Sequence, residues 1–187
     1  IADEVTAKYN PLCSRLSDPV SPGVCEIVVK RKKFNSEKPV IGFMGKEWKR
    51  KGLPKVIEIW REIRKKMPGV ELCLAGFSTS IELGLSESEL NSVQILGYVK
   101  GKSTFFSKID ILLHPASKEA YGMVIAEALS VGTPVFLTNK VNLWREVIDS
   151  GAGLVANDDQ FGIDRLVGQW VNNEHLACVE NTLKCFR

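Results

Sequence analysis

The sequence predicts an α/β protein built on a Rossmann-like, doubly wound, mostly parallel sheet, and three observations carry that prediction. Short apolar runs alternate along the chain with segments whose apolar residues recur at three- and four-residue steps. The runs are nearly continuous in apolar residues, as strands covered on both faces should be. The loops that follow them carry Gly or charge, and strands alternating with helices in this order imply parallel pairing through helical crossovers.

The first run, Pro39-Val-Ile-Gly-Phe-Met44, reads as a buried strand ending at Gly45. After a basic loop, Leu53, Val56, Ile57, Trp60, Ile63 and Met67 mark a helix that Pro68-Gly69 ends. Strand Val70–Ala75 follows, then a polar helical segment near Ser86–Leu90 and strand Val93–Leu96. A short helix around Ser103–Lys108 leads to strand Asp110–Leu113. Helix Gly122–Val131 leads to strand Pro134–Leu137, helix Leu143–Asp149 leads to strand Gly153–Ala156, and Phe161–Leu183 reads as one or two closing helices. The first 35 residues stand apart. Pro11, Pro19 and Pro22 interrupt a weak periodicity and Lys30-Arg-Lys-Lys33 follows, so residues 1–35 read as a linker or the tail of a preceding domain, and 36–187 as the folded domain.

Composition bounds the function classes. A chain of 187 residues with 44% apolar and 25% charged residues can bury one real core. Its longest apolar stretches, Ile109–Pro115 and Val131–Leu137, fall well short of the roughly 18 to 20 residues of a spanning helix. Five Cys (13, 25, 73, 178, 185) without a Cys-x-x-Cys, and two His (114, 175), argue against structural zinc or a disulfide scaffold and favour a reducing, cytoplasmic compartment. The chain starts at Ile1 and shows no targeting peptide, so we expect a piece of something longer.

The net charge of +3 hides an asymmetry. Between Lys30 and Lys66 there are 14 Lys and Arg against four acids, a local balance of +10. Arg61, Arg64, Lys65 and Lys66 belong on the polar side of a helix, whereas Lys46, Lys49, Arg50 and Lys51 fall in a loop directly after a strand. Ligands of open parallel sheets bind at the carboxyl ends of the strands, so this loop and those after Ala75, Leu96 and Leu113 are the ones to inspect. Lys30–Lys33 reads as a solvated run, with peripheral contact to the inner face of an anionic membrane as the alternative.

The loop after Leu113 carries Glu119, and the helix after it carries Glu127. Eight residues of helix span about 12 Å, too far for a hydrolytic carboxyl pair at roughly 5 to 9.5 Å. The two acids would instead grip the ends of one extended ligand. Between them lies a helix N-terminus whose free N–H groups, from about Ala120 through Tyr121, Gly122 and Met123 to Val124, suit a phosphate, with Gly122 permitting close approach. Lys46, Arg50 and Lys51 could complete a phosphate site. Glu127, an acid inside Ile125-Ala-Glu-Ala-Leu129, needs a partner, while His114 reads as a packed strand-end residue.

Glu119-Ala-Tyr-Gly-Met-Val-Ile-Ala-Glu127 resembles the E-x7-E motif of family 4 retaining glycosyltransferases with the glycosyltransferase-B fold. Phe43-Met-Gly-Lys…Lys51-Gly52, Leu74-Ala-Gly-Phe77, Ile95-Leu-Gly-Tyr-Val99, Leu113-His-Pro-Ala116 and Ala128-Leu-Ser-Val-Gly-Thr-Pro-Val135 follow in that family's order and spacing. The resemblance spans about Val40 to Ala156 and implies the C-terminal, donor-binding half of a two-domain enzyme. It implies transfer of a sugar from a nucleoside diphosphate, with retention, to a glycan, lipid or other acceptor; no cofactor is expected, and no metal, since the sequence carries no metal-ligand cluster. It also implies roles. Glu119 would hold the donor sugar and, with Lys51, serve catalysis; Glu127 would hold ribose; backbone at Tyr98 and Val99 would meet the base. Lys51 with Lys46 or Arg50, near Gly45, would neutralise the diphosphate. The family often has Arg where Lys46 stands. An acceptor domain upstream is the implied missing partner. A nucleotide-sugar epimerase or sugar phosphorylase of related fold and a non-catalytic nucleotide-binding module are the competing readings. No Gly-x-Gly-x-x-Gly follows the first strand, which disfavours a dehydrogenase, and no nucleic-acid reader motif is present.

Overall fold

In the computed structural model, which describes Ile27, Val29, residues 38–79 and 82–172, Cys178, Asn181 and Thr182, strands and helices alternate as the sequence predicts. The strands are β1 Val40–Met44, β2 Glu71–Ala75, β3 Val93–Gly97, β4 Ile111–His114, β5 Val135–Thr138 and β6 Gly153–Ala156. The helices are α1 Leu53–Lys66, α2 Glu87–Leu90, α3 Lys102–Phe106, α4 Met123–Ser130, α5 Trp144–Ser150 and α6 Gln160–Val171. The sheet order is β3-β2-β1-β4-β5-β6, and every pairing is parallel. Order reverses between β1 and β4, so the crevice for a ligand opens above Met44 and His114.

Successive residues of each strand point to opposite faces, and this splits the core in two. Ile41 and Phe43 join Leu72, Leu74, Ile111 and Leu113 under α1 and α6, where Trp60 and Trp170 are fully buried. Val40 and Met44 join Cys73, Ala75, Leu112, Val135 and Leu137 under α3, α4 and α5. The two partly buried residues described from the segment read as a linker, Ile27 and Val29, pack against this second face; the rest of that segment, including Lys30–Lys33, Cys13 and Cys25, lies outside the described residues, as do His175 and Cys185. Beyond α6 and Asn172 only Cys178, Asn181 and Thr182 are described, and Cys178 and Thr182 are buried.

Some boundaries shift for physical reasons. Asp110 precedes β4, and its buried carboxylate accepts the Val40 N–H at 2.8 Å, fixing the start of β1. Gly122 lies outside α4, in the left-handed region at φ +77°. Arg61 of α1 clamps α2 through a two-pronged pair with Glu89 (2.6 and 3.0 Å), whose carboxylate also closes a capping box on Ser86. Among the described residues no helix is long and apolar enough to cross a membrane.

Candidate functional site

A cleft of about 470 Å³ opens at the carboxyl ends of the strands. The loop after β1 forms one wall, and local hydrogen bonds shape it: Lys51 N–H donates to Glu47 O at 3.0 Å and Leu53 N–H to Trp48 O at 2.9 Å. Trp48 anchors this loop by packing toward Phe77. Gly45 and Lys46 line the cleft with Lys51. A Cβ on Gly45 would stand 2.6 Å from Lys51 Cδ, so the bare glycine makes room for the Lys51 side chain.

The opposite wall is the loop after β4. Glu119 N–H donates to Lys140 O and Asn142 N–H to Glu119 O, both at 3.2 Å, which stitches Glu119 beside the loop after β5. Its carboxylate Oε2 lies 3.2 Å from Lys51 Nζ and 3.5 Å from His114 Nε2. His114, stacked on Phe43, is fully buried, and desolvation pushes its imidazole below the ordinary value, toward the neutral form. The imidazole beside Glu119, joined by the Lys51 charge, holds this carboxyl down at about 2. Glu119 is thus an ionised acceptor on the cleft wall, together with Ala120 and Tyr121.

Helix α4 begins at the cleft floor. Its N-cap, Gly122, makes no side-chain cap, and no acid stands in its first turn. The first N–H groups of a helix lack intrahelical acceptors, and here Met123 and Val124 line the opening. A Cβ on Gly122 would meet Ile125 Cδ1 at 2.6 Å, and the φ of +77° already favours glycine. An uncapped, partly positive helix end, two lysines and a carboxylate therefore face one space. That arrangement suits an elongated ligand with an anionic middle. Tyr98, two-thirds exposed, and Val99 border the far end.

Two residues expected at the ligand are held by ion-pair partners of their own. Arg50 does not line the cleft: its guanidinium pairs with Glu47 and donates to Lys118 O at 2.7 Å, while its own carbonyl accepts the Ser117 hydroxyl at 3.3 Å. It ties the two walls together. Glu127 lies behind the lining, buried on α4, and pairs with Lys102 of α3. Lys102 lines the cleft and escaped the sequence reading, since its partner is 25 residues away. Among the described residues no group of three His, Cys, Asp or Glu is placed to hold a metal ion.

A family profile described as "Glycosyl transferases group 1" matches residues 26–182. The chain belongs to the group 1 glycosyl transferases. The match starts upstream of the resemblance read from motifs and takes in Ile27 and Val29, the residues packed on the core. Among relatives, the capsular polysaccharide biosynthesis glycosyltransferase CapM of Staphylococcus aureus is 25% identical over 154 residues, 79% of this chain and 40% of CapM. The crystal structure of WaaG, a glycosyltransferase involved in lipopolysaccharide biosynthesis, shares the fold with a TM-score of 0.69 at 21% identity, over 82% of this chain and 44% of WaaG. Anabaena HepE, crystallised with UDP and glucose, shares it at 0.61 and 17% identity, over 80% of this chain and 43% of HepE. This group 1 glycosyl transferase chain spans about two fifths of the length of the curated relatives it matches.

Proposed function

We propose that the cleft binds a nucleoside-diphosphate sugar for transfer with retention of configuration, and that the chain is the donor-binding half of a two-domain enzyme. The observation that carries this is the convergence of Lys46, Lys51 and the open end of α4 on one cleft that also holds ionised Glu119. The lysines and helix end take the diphosphate and stabilise its charge as it leaves. Glu119 accepts hydroxyls of the donor sugar. Glu127 takes ribose, and Tyr98 and Val99 border the base. HepE, of the same fold, was crystallised with UDP and glucose.

Retaining transfer needs an acceptor hydroxyl held at the anomeric carbon, and such positioning is worth several kcal/mol of barrier. Among the described residues the charged groups that line the cleft serve the donor, so we assign acceptor binding to a partner domain. The acceptor is a glycan, a lipid or another hydroxyl compound. This chain alone should bind donor and transfer nothing.

Titration calorimetry tests the reading. UDP, ADP or GDP should bind in the presence of a chelator, because lysines and a helix end carry the phosphate charge. Lys51→Ala should weaken the diphosphate roughly tenfold or more while sparing the free nucleoside, and added salt should narrow that difference. Equal losses for both ligands would remove Lys51 from the diphosphate site. No binding of any of the three diphosphates would remove the donor-site reading itself.

A further inference from the structure

We propose that Lys102 is a positioning residue for nucleotide recognition: its ion pair fixes the Glu127 carboxylate so that Oε2 is presented to ribose hydroxyls. This rests on the donor-site reading above, in which Glu127 takes ribose.

The first observation is an imbalance on one buried side chain. Glu127 is 5% exposed, between buried Ala126 and Ala128, where an ionised carboxylate is costly unless its oxygens are satisfied. Lys102 Nζ bonds Oε1. Oε2 is buried without a hydrogen-bond partner. A carboxylate oxygen left without a donor is an exception among buried polar atoms and marks a place where a donor belongs.

The second observation says which kind of donor. The ammonium already neutralises the carboxylate, so a second cation would enter an ion pair with no net charge to attract it. A neutral hydroxyl gains a charge-assisted hydrogen bond there at lower desolvation cost. The third observation is placement. Lys102 lines the cleft while Glu127 stands behind it, and the Lys102 side chain is about half exposed. Its backbone is nonetheless held firmly, because Phe105 and Phe106 of the same helical turn are buried in the core. A lysine on a fixed backbone, reaching from the cleft rim to one oxygen of a buried acid, sets the rotamer of that acid and leaves its other oxygen, Oε2, as an unpaired acceptor.

The test is calorimetry with the tightest binder of UDP, ADP and GDP, its nucleoside, and its 2′,3′-dideoxy diphosphate analogue. Lys102→Met should weaken the diphosphate and the nucleoside by the same factor, about tenfold. It should leave the dideoxy analogue, which has no hydroxyls to present, unchanged. Lys102→Arg should restore most of the loss. A loss confined to diphosphate-bearing ligands would mean direct phosphate contact and overturn the proposal. Equal losses for all three ligands would mean a purely structural role and overturn it too. Failure of the underlying reading is separately visible: wild-type protein that binds the ribose and dideoxy forms equally does not place Glu127 on ribose.

Discussion

Gly52→Ala is expected to lower the melting temperature by roughly 10 °C and, on the donor-site proposal, to weaken nucleotide binding as a consequence. Gly52 closes the basic loop and caps α1 at φ +89°. A Cβ there would stand 2.3 Å from the backbone oxygen of Pro115, with no flexible side chain able to give way. The left-handed conformation alone costs a non-glycine residue about 1 kcal/mol, and forcing the two loops apart should bring the total to about 3 kcal/mol. In a domain of this size that corresponds to about 10 °C. Gly84→Ala is the control, since Gly84 has φ +62° and nothing within 4 Å of the added methyl group. Thermal unfolding of both variants separates conformational strain from collision. If the two lose the same amount, the close approach of the walls at Pro115 is not what demands glycine.

Glu119→Gln is expected to destabilise the protein at neutral pH by about 2 kcal/mol, and to do so less and less as acid is added. The Glu119 carboxyl is held at about 2 by His114 and Lys51 against an ordinary value of 4.5. A carboxyl lowered on folding contributes stability that is complete above the unfolded value and is lost as pH falls through the folded one. The window is therefore pH 4.5 to about 2. The figure sits below the full linkage value because Glu119 borders an open cleft. His114 acts earlier on the same curve. Its imidazole is lowered by burial from an ordinary 6.5, so unfolded chains take up a proton that the native state refuses, and stability begins to fall below about pH 6.5. Denaturant titrations from pH 7.5 to 2.5 should show both stages in the wild type. Glu119→Gln should keep the first and reduce the second. Glu89, held low by Arg61 and Ser86, titrates in that second window and remains. A constant gap between variant and wild type across the range would refute the Glu119 assignment.

Both expectations come from contacts between loops far apart in sequence, and that is where reading the chain reached its limit. The strand–helix order, the parallel sheet and the four loops worth inspecting followed from periodicity, because burial of one helix face or both sheet faces is written locally as spacing. Gly122 could be picked out for its place at a helix start, and Glu127 for standing among apolar neighbours. The partners of these residues could not. Arg50 and Lys51 are adjacent cations in one loop and look equivalent on paper. Packing turns Lys51 toward Glu119 and Arg50 toward Lys118 O and Glu47, away from the cleft. Glu127 needed a partner by the physics of buried charge, but nothing local names Lys102, which reaches it only because α3 and α4 cover the same sheet face. The carboxyl of Glu119 owes its acidity to a histidine five residues earlier and a lysine 68 residues earlier. By itself the sequence determined the elements, their order and the end of the sheet at which the cleft opens. Only the tertiary structure decided which cation meets which acid, since electrostatic pairing depends on distances of a few ångströms that chain spacing does not set.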